Sequence, residues 1–267
     1  MKHSILSFVL VLVGLANLSA QKWVDKTDYP FKNNYIELEA GKQHYVDEGE
    51  GDVILFLHGT PTWSFLYRDF IKKLSSRNRC IAIDYLDFGL SEKPLDFKNT
   101  PKNHAANLEE FITKLDLTNI TLVVHDFGGS IGLSTAIKNP EKFKRIVVFN
   151  TWMWETKNDP FAKEIDGLLH SEAGKKYYLE QNYSVEVLMK QAYFKKSKLT
   201  EKIHQQYREP FPDSSSREAL LELGKEFVGS SDWFQMQWEK LDVLKEKEWL
   251  IIWGMKDPFL NEKYLEK

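Results

Sequence analysis

The residue with the most chemical promise is Asp126. It follows the apolar run Thr121-Leu-Val-Val124 and is itself followed by Phe127-Gly128-Gly129 and a helical pattern from about Ser130. A strand that turns abruptly into a helix needs glycine where backbones approach closely, and such a turn lifts one side chain above the sheet. A carboxylate held there can attack carbon as a nucleophile. It can also simply cap the helix that follows. A second acid, Asp257, stands three residues beyond Gly254 after the apolar run Trp249 to Trp253; taken alone, Asp257-Pro258 is only a turn signal. A third cluster, Phe149-Asn150-Thr151-Trp152-Met153-Trp154, closes another apolar run with an amide and two indole N–H donors. Packing is the competing role for both tryptophans. Val53 to Leu57 leads into the loop His58-Gly-Thr-Pro-Thr-Trp-Ser64.

These groups sit at the ends of apolar runs, and the runs define the elements that must position them. Val53–Leu57, Cys80–Ile83, Thr121–Val124, Arg145–Phe149 and Trp249–Trp253 alternate with helical stretches and lack polar alternation. That pattern suits strands buried on both faces of a parallel sheet covered by helices. Ahead of them, Tyr35 to Glu39 and Gln43 to Asp47 read as a hairpin around Gly41. From about Trp154 to Leu241 the strand signal disappears and helical patterns rich in Lys, Glu and aromatics take over, with breaks expected near Gly167, Asn182 and Glu209 to Asp213. A helical insertion of that length between two strands reads as a cap over the strand ends. The expected organisation is therefore 21–153 as core, 154–241 as helical cap and 242–267 as the core continued.

Composition excludes several classes. The chain has 267 residues, 42% hydrophobic and 28% charged, with a formal net charge of -3, so it offers no strong field to nucleic acid or an anionic membrane. A single cysteine, Cys80, lies in an apolar run and leaves no intrachain disulfide. Residues 1–20 differ from the rest: a basic start, an apolar stretch from Ile5 to Ala16 and small residues up to Ala20 are the parts of a secretory signal peptide. The expected location is periplasmic or secreted, with no stable membrane insertion once that segment is removed. Neither a metal-ligand cluster nor a dinucleotide or phosphate loop is present in the sequence, so no cofactor is expected.

Taken together, His58-Gly-Thr-Pro-Thr-Trp-Ser64, His125-Asp-Phe-Gly-Gly129, Trp253-Gly-Met-Lys-Asp-Pro258 and Tyr207-Arg-Glu-Pro-Phe-Pro-Asp213 resemble the haloalkane dehalogenases and, more loosely, the epoxide hydrolases. The resemblance implies an α/β-hydrolase fold, a mostly parallel doubly wound sheet with the cap inserted after the sixth strand. It implies Asp126 as nucleophile, Asp257 as the acid that orients a histidine base, and the backbone N–H groups of Thr60 and Phe127 as an oxyanion hole. The implied substrate is a small apolar haloalkane or epoxide, and water is the second reactant.

Two departures from the family pattern stand out. Dehalogenases of this kind place a tryptophan after the nucleophile to hold the departing halide, and Phe127 has no N–H to offer. Asn150, Trp152 and Trp154 are the candidate replacements. The family's histidine lies on a loop beyond one further strand, where this chain has no residue, so a fragment with its C-terminal end missing is expected. That reading leaves an epoxide hydrolase and a binder that does not turn over as the alternatives.

Overall fold

The computed structural model describes residues 22–267. The expected signal peptide, residues 1–20, lies outside the described residues. Residues 22–30 form turns by themselves, closed by the Tyr29 N–H donating to the Asp25 carbonyl at 2.8 Å.

From Phe31 onward the chain builds a seven-stranded sheet: β1 (Asn34–Leu38), β2 (Gly41–Glu48), β3 (Val53–Leu57), β4 (Arg79–Ile83), β5 (Ile120–Val124), β6 (Phe143–Val148) and β7 (Glu248–Ile251), in the order β1-β2-β4-β3-β5-β6-β7. The β1–β2 hairpin and its junction with β4 are antiparallel; every pair from β4 to β7 is parallel. The central strands are mostly apolar because both faces are covered: Leu55, Leu57, Ile81, Leu122 and Val124 are fully buried. β7 departs from that rule. As an edge strand it pairs with β6 alone, and Leu250, Ile251 and Ile252 stay 53%, 54% and 44% exposed.

Helices α1 (Arg68–Leu74), α2 (Pro101–Lys114) and α3 (Phe127–Lys138) connect the strands. α2 begins where the Thr100 hydroxyl accepts the Asn103 N–H, with Pro101 at the first helical position, which lacks nothing by having no N–H there. α3 is buried from Phe127 to Ala136, so its sequence is apolar and small rather than amphipathic.

Between β6 and β7 the chain is helical: α4 (Pro160–His170), α5 (Glu172–Gln181), a π-helical turn (Ser184–Leu188) running into α6 (Met189–Ala192), then α7 (Glu201–Arg208), α8 (Ser214–Gly229) and α9 (Ser231–Trp238). The short α10 (Glu262–Leu265) follows β7. Asn182 ends α5 in the left-handed conformation at φ 49°, and Asp213 opens α8 with a reciprocal capping box to Ser216. Gly167 does not break the helix as expected; it lies inside α4. The cost of one helical glycine, about 1 kcal/mol, is outweighed by the stripe Phe161, Ile165 and Leu169, which packs one face of that helix into the protein. No helix among the described residues is long and apolar enough to cross a membrane.

Candidate active site

The chemistry-bearing residues gather at the carboxyl ends of β3, β5, β6 and β7, the edge of a doubly wound sheet where loops converge on a crevice. Asp126 stands between β5 and α3 at φ 54°, ψ -132°, a strained conformation for a residue with a side chain. Its neighbours must be small for the turn to close. A Cβ on Gly59 would lie 2.1 Å from Asp126 Oδ1, and one on Gly129 would lie 1.8 Å from Thr151 Oγ1. The turn is held on both sides: the Asp126 N–H donates to the Asn150 carbonyl at 2.8 Å, and the Thr151 hydroxyl donates to the Asp126 carbonyl at 2.6 Å. The side chain makes no cap for α3, so the helix-capping role is not the one it fills.

The carboxylate faces backbone donors. The Thr60 N–H donates to Oδ1 at 2.9 Å. Burial raises the Asp126 pKa above the ordinary carboxylate range and the charge of Asp257 adds to that, while the His125 ring and the N–H groups of Phe127 and Thr60 favour the ionised form. The loop that supplies Thr60 is itself fixed: the Ser64 N–H donates to Asp84 Oδ1 at 2.8 Å, and Asp84 Oδ2 accepts from Nδ1 of the buried His44 at 2.8 Å.

Asp257 closes its own turn. Its Oδ1 accepts the N–H groups of Phe259 and Leu260 at 2.8 and 3.0 Å, and its side chain reaches the same cavity wall as Asp126. Asn150 has a different task from leaving-group contact. Its Nδ2 donates to the carbonyls of Gly254 and Leu260 at 3.1 and 2.8 Å and its Oδ1 accepts the Gly254 N–H at 2.7 Å, so the whole amide is spent on the loop that carries Asp257. Trp154 likewise packs on Trp238 and Tyr264 with ring centroids 5.5 and 5.8 Å away, and is not on the cavity wall. Trp152 is on it. Its ring meets Phe127 edge to face at 4.8 Å and Phe227 at 4.7 Å, and its buried Nε1–H finds no acceptor among the described residues.

The histidines are mostly occupied. In His58, Nδ1–H donates to the Gly59 carbonyl at 2.8 Å and Nε2 accepts the Tyr85 N–H at 3.0 Å, which fixes a neutral tautomer; burial pushes its pKa down to about 4. His104 meets Asn99 Oδ1 through Nε2, and His204 meets the Val185 carbonyl. His125 is the one histidine on the cavity wall among the described residues.

The cavity has a volume of about 460 Å³, within the usual range for a small-molecule site. Tyr178 from α5 and Tyr207 from α7, cap tyrosines that an epoxide hydrolase could use as acids, are on its far wall; sequence reasoning missed the rest, Phe161, Ile165 and Leu169 from α4, Met189 and Ala192 from α6, Gly224 and Phe227 from α8. Only the spacing of the α4 stripe, four residues apart twice, could have marked that helix face in advance. No group of metal-binding side chains occurs among the described residues.

The comparisons decide the family. Residues 52–267 match the α/β-hydrolase fold family. The chain is 35% identical over 237 residues to haloalkane dehalogenase 2 of Mycobacterium tuberculosis, covering 88% of this chain and 82% of that protein. The chain belongs to the haloalkane dehalogenase family of α/β-hydrolases. It is a haloalkane dehalogenase-like hydrolase, and the crystal structure of the haloalkane dehalogenase DatA from Agrobacterium tumefaciens C58 superposes on it with a TM-score of 0.78 at 26% identity, covering 88% of this chain and 83% of that one. A cis-3-alkyl-4-alkyloxetan-2-one decarboxylase of Shewanella oneidensis is 41% identical over 139 residues, half of this chain and 44% of that protein.

Proposed function

We propose that Asp126 displaces a halide from an alkyl carbon held in the cavity. The observation that carries the reading is the Asp126 carboxylate itself, lifted by a strained turn to the floor of an apolar cavity with a backbone N–H on its oxygen. One carboxylate oxygen forms a bond to the carbon as the carbon–halogen bond breaks, and the halide leaves with the bonding pair. Trp152 Nε1–H is the donor available to that anion. The product is an alkyl ester of Asp126. Water then attacks the carboxyl carbon of the ester, and the Thr60 and Phe127 N–H groups take the charge that develops on oxygen. The bond between the carboxyl carbon and the alkoxy oxygen then breaks, the alcohol leaves with one proton of the water, the other passes to solvent, and the carboxylate is regenerated.

The test is mass spectrometry of the protein after incubation with a bromoalkane. An adduct of one alkyl group on Asp126, with bromide released, supports the reading, and the decay of that adduct reports whether the site supplies a base to the attacking water. Diol from an epoxide with no halide from any haloalkane would transfer the reading to ring opening, with Tyr178, Tyr193 or Tyr207 on the cavity wall as proton donors. The oxetan-2-one named for the Shewanella relative is a third probe, because the same attack at its ring carbon expels a carboxylate. Export to the periplasm or medium through residues 1–20 belongs to the same reading, and N-terminal sequencing of secreted protein tests it.

A further inference from the structure

Gly224 occupies an unusual place. It lies inside α8, a 16-residue helix, at an ordinary helical φ, so neither a turn nor a left-handed conformation calls for glycine there. Alanine would make the better helix. Backbone crowding does not demand it either: a Cβ would meet Leu169 Cδ1 at 3.2 Å and Cδ2 at 4.0 Å and the Tyr178 hydroxyl at 3.9 Å, side-chain atoms alone, of which the Leu169 tip would have to give by a few tenths of an ångström. Gly224 does line the cavity that holds Asp126. A second glycine, Gly167 in α4, is the natural contrast, being exposed, with no atom within 4 Å of the point where a Cβ would stand and no part in the cavity wall.

The position along the wall gives the missing side chain a meaning. From the nucleophile outward the rings run Phe127, Trp152, Phe227, at 4.8 and 4.7 Å between centroids, and Gly224 stands one helical turn from Phe227. Gly224 is thus two ring contacts and one helical turn removed from the residue that follows the nucleophile. We propose that Gly224 is a specificity-determining residue, an open slot between Leu169, Tyr178 and Phe227 that admits the distal end of an unbranched alkyl chain. The inference rests on the alkylation reading above for its chemistry but not for its geometry.

The experiment compares the wild-type chain with G224A and G224L, and with G167L as a control that places the same bulk outside the cavity. Two readouts are taken: the rate of adduct formation on Asp126 with 1-bromobutane and with 1-bromodecane, and the binding of 1-decanol, which cannot alkylate, by tryptophan fluorescence. G224L should slow the long reagent by roughly tenfold or more while changing the short one by less than about twofold, since a few methylenes lost from an apolar pocket are worth that much. G224A should fall between, and G167L should match the wild type in both. Decanol binding should weaken in G224L by a similar factor. Equal loss with both reagents, or undiminished decanol binding, overturns the slot. No adduct from either bromide combined with Gly224-dependent decanol binding overturns the alkylation reading and leaves the slot standing.

Discussion

Asn150 holds Asp126 through its backbone and the Asp257 loop through its side chain: its carbonyl accepts the Asp126 N–H at 2.8 Å while its amide spans Gly254 and Leu260. The two acids that the resemblance pairs are therefore set relative to one another by a single residue at the end of β6. Replacing it by alanine leaves the Gly254 N–H without its partner, while the Gly254 and Leu260 carbonyls keep the Asp257 N–H at 2.9 Å and the Trp253 indole N–H at 3.0 Å. N150A should lose about 1 kcal/mol of stability, by urea denaturation, the usual net worth of hydrogen bonds lost where the other partners stay satisfied or reach water. Its adduct rate should fall as well, because the loop that carries Asp257 loses its tie to Asn150.

The Trp152 prediction separates chemistry from packing. Phenylalanine keeps an aromatic ring against Phe127, Phe227 and Phe234 while removing the N–H that has no acceptor among the described residues, together with the rest of the indole's five-membered ring. If that N–H holds the leaving anion, W152F should slow alkylation of Asp126 by roughly a hundredfold, the usual effect of removing one well-placed donor. Stopped-flow measurement of bromide release checks it, and an unchanged rate would assign Trp152 to packing alone.

For Asp126 the sign follows from its raised pKa. The folded chain holds that proton more tightly than the unfolded chain, so ionising the group costs stability as pH rises through its folded pKa. D126N should abolish the adduct yet be more stable than the wild type at pH 7, by on the order of 1 kcal/mol, since an amide accepts the Thr60 N–H without a buried charge. The alkylation rate of the wild type should rise with pH along an acid limb displaced upward from the ordinary carboxylate range. An acid limb no higher than the ordinary aspartate value of about 3.9 would contradict it.

His58 and His104 predict an opposite slope for stability. Burial lowers their pKa values from 6.5 to about 4 and about 3, so below neutrality the unfolded chain takes up protons that the folded chain refuses. Stability should be full above pH 6.5 and fall as pH drops, by about 1.4 kcal/mol per pH unit for each ring. Urea denaturation between pH 7 and pH 5 measures the slope, and H104F should halve it.

The parallel sheet was legible because its strands are buried on both faces. Val53–Leu57 matches β3 at both ends, and Thr121–Val124 and Cys80–Ile83 each fall one residue short of the observed strand. Trp249–Trp253 gave the strand but hid its setting, since an exposed Leu250 and a buried one are written alike. The strand-to-helix turn at Asp126 was readable from its glycines, but the turn alone left a helix cap open, and the nucleophile role came from the resemblance. Asn150, Trp152 and Trp154 were not separable in sequence: all three are donors within five residues, and only the packing of distant segments, Gly254 and Leu260 on one side, Phe227 on another, Trp238 and Tyr264 on a third, gives each its role. The slot at Gly224 was equally invisible, because its meaning depends on Leu169 and Tyr178 from other helices.

The Trp63 indole donates to the Gln206 carbonyl at 2.9 Å, joining the loop that carries Thr60 to helix α7. The donor that faces Asp126 and the helices that roof the cavity are thus one mechanical part. A variant that loosens α7 to admit bulkier molecules would also let the Thr60 N–H drift from the carboxylate. Widening the approach to this site and preserving its reactivity are therefore competing demands on the same bond, and a designer would do better to enlarge the wall that α4 and α8 form and leave α7 alone.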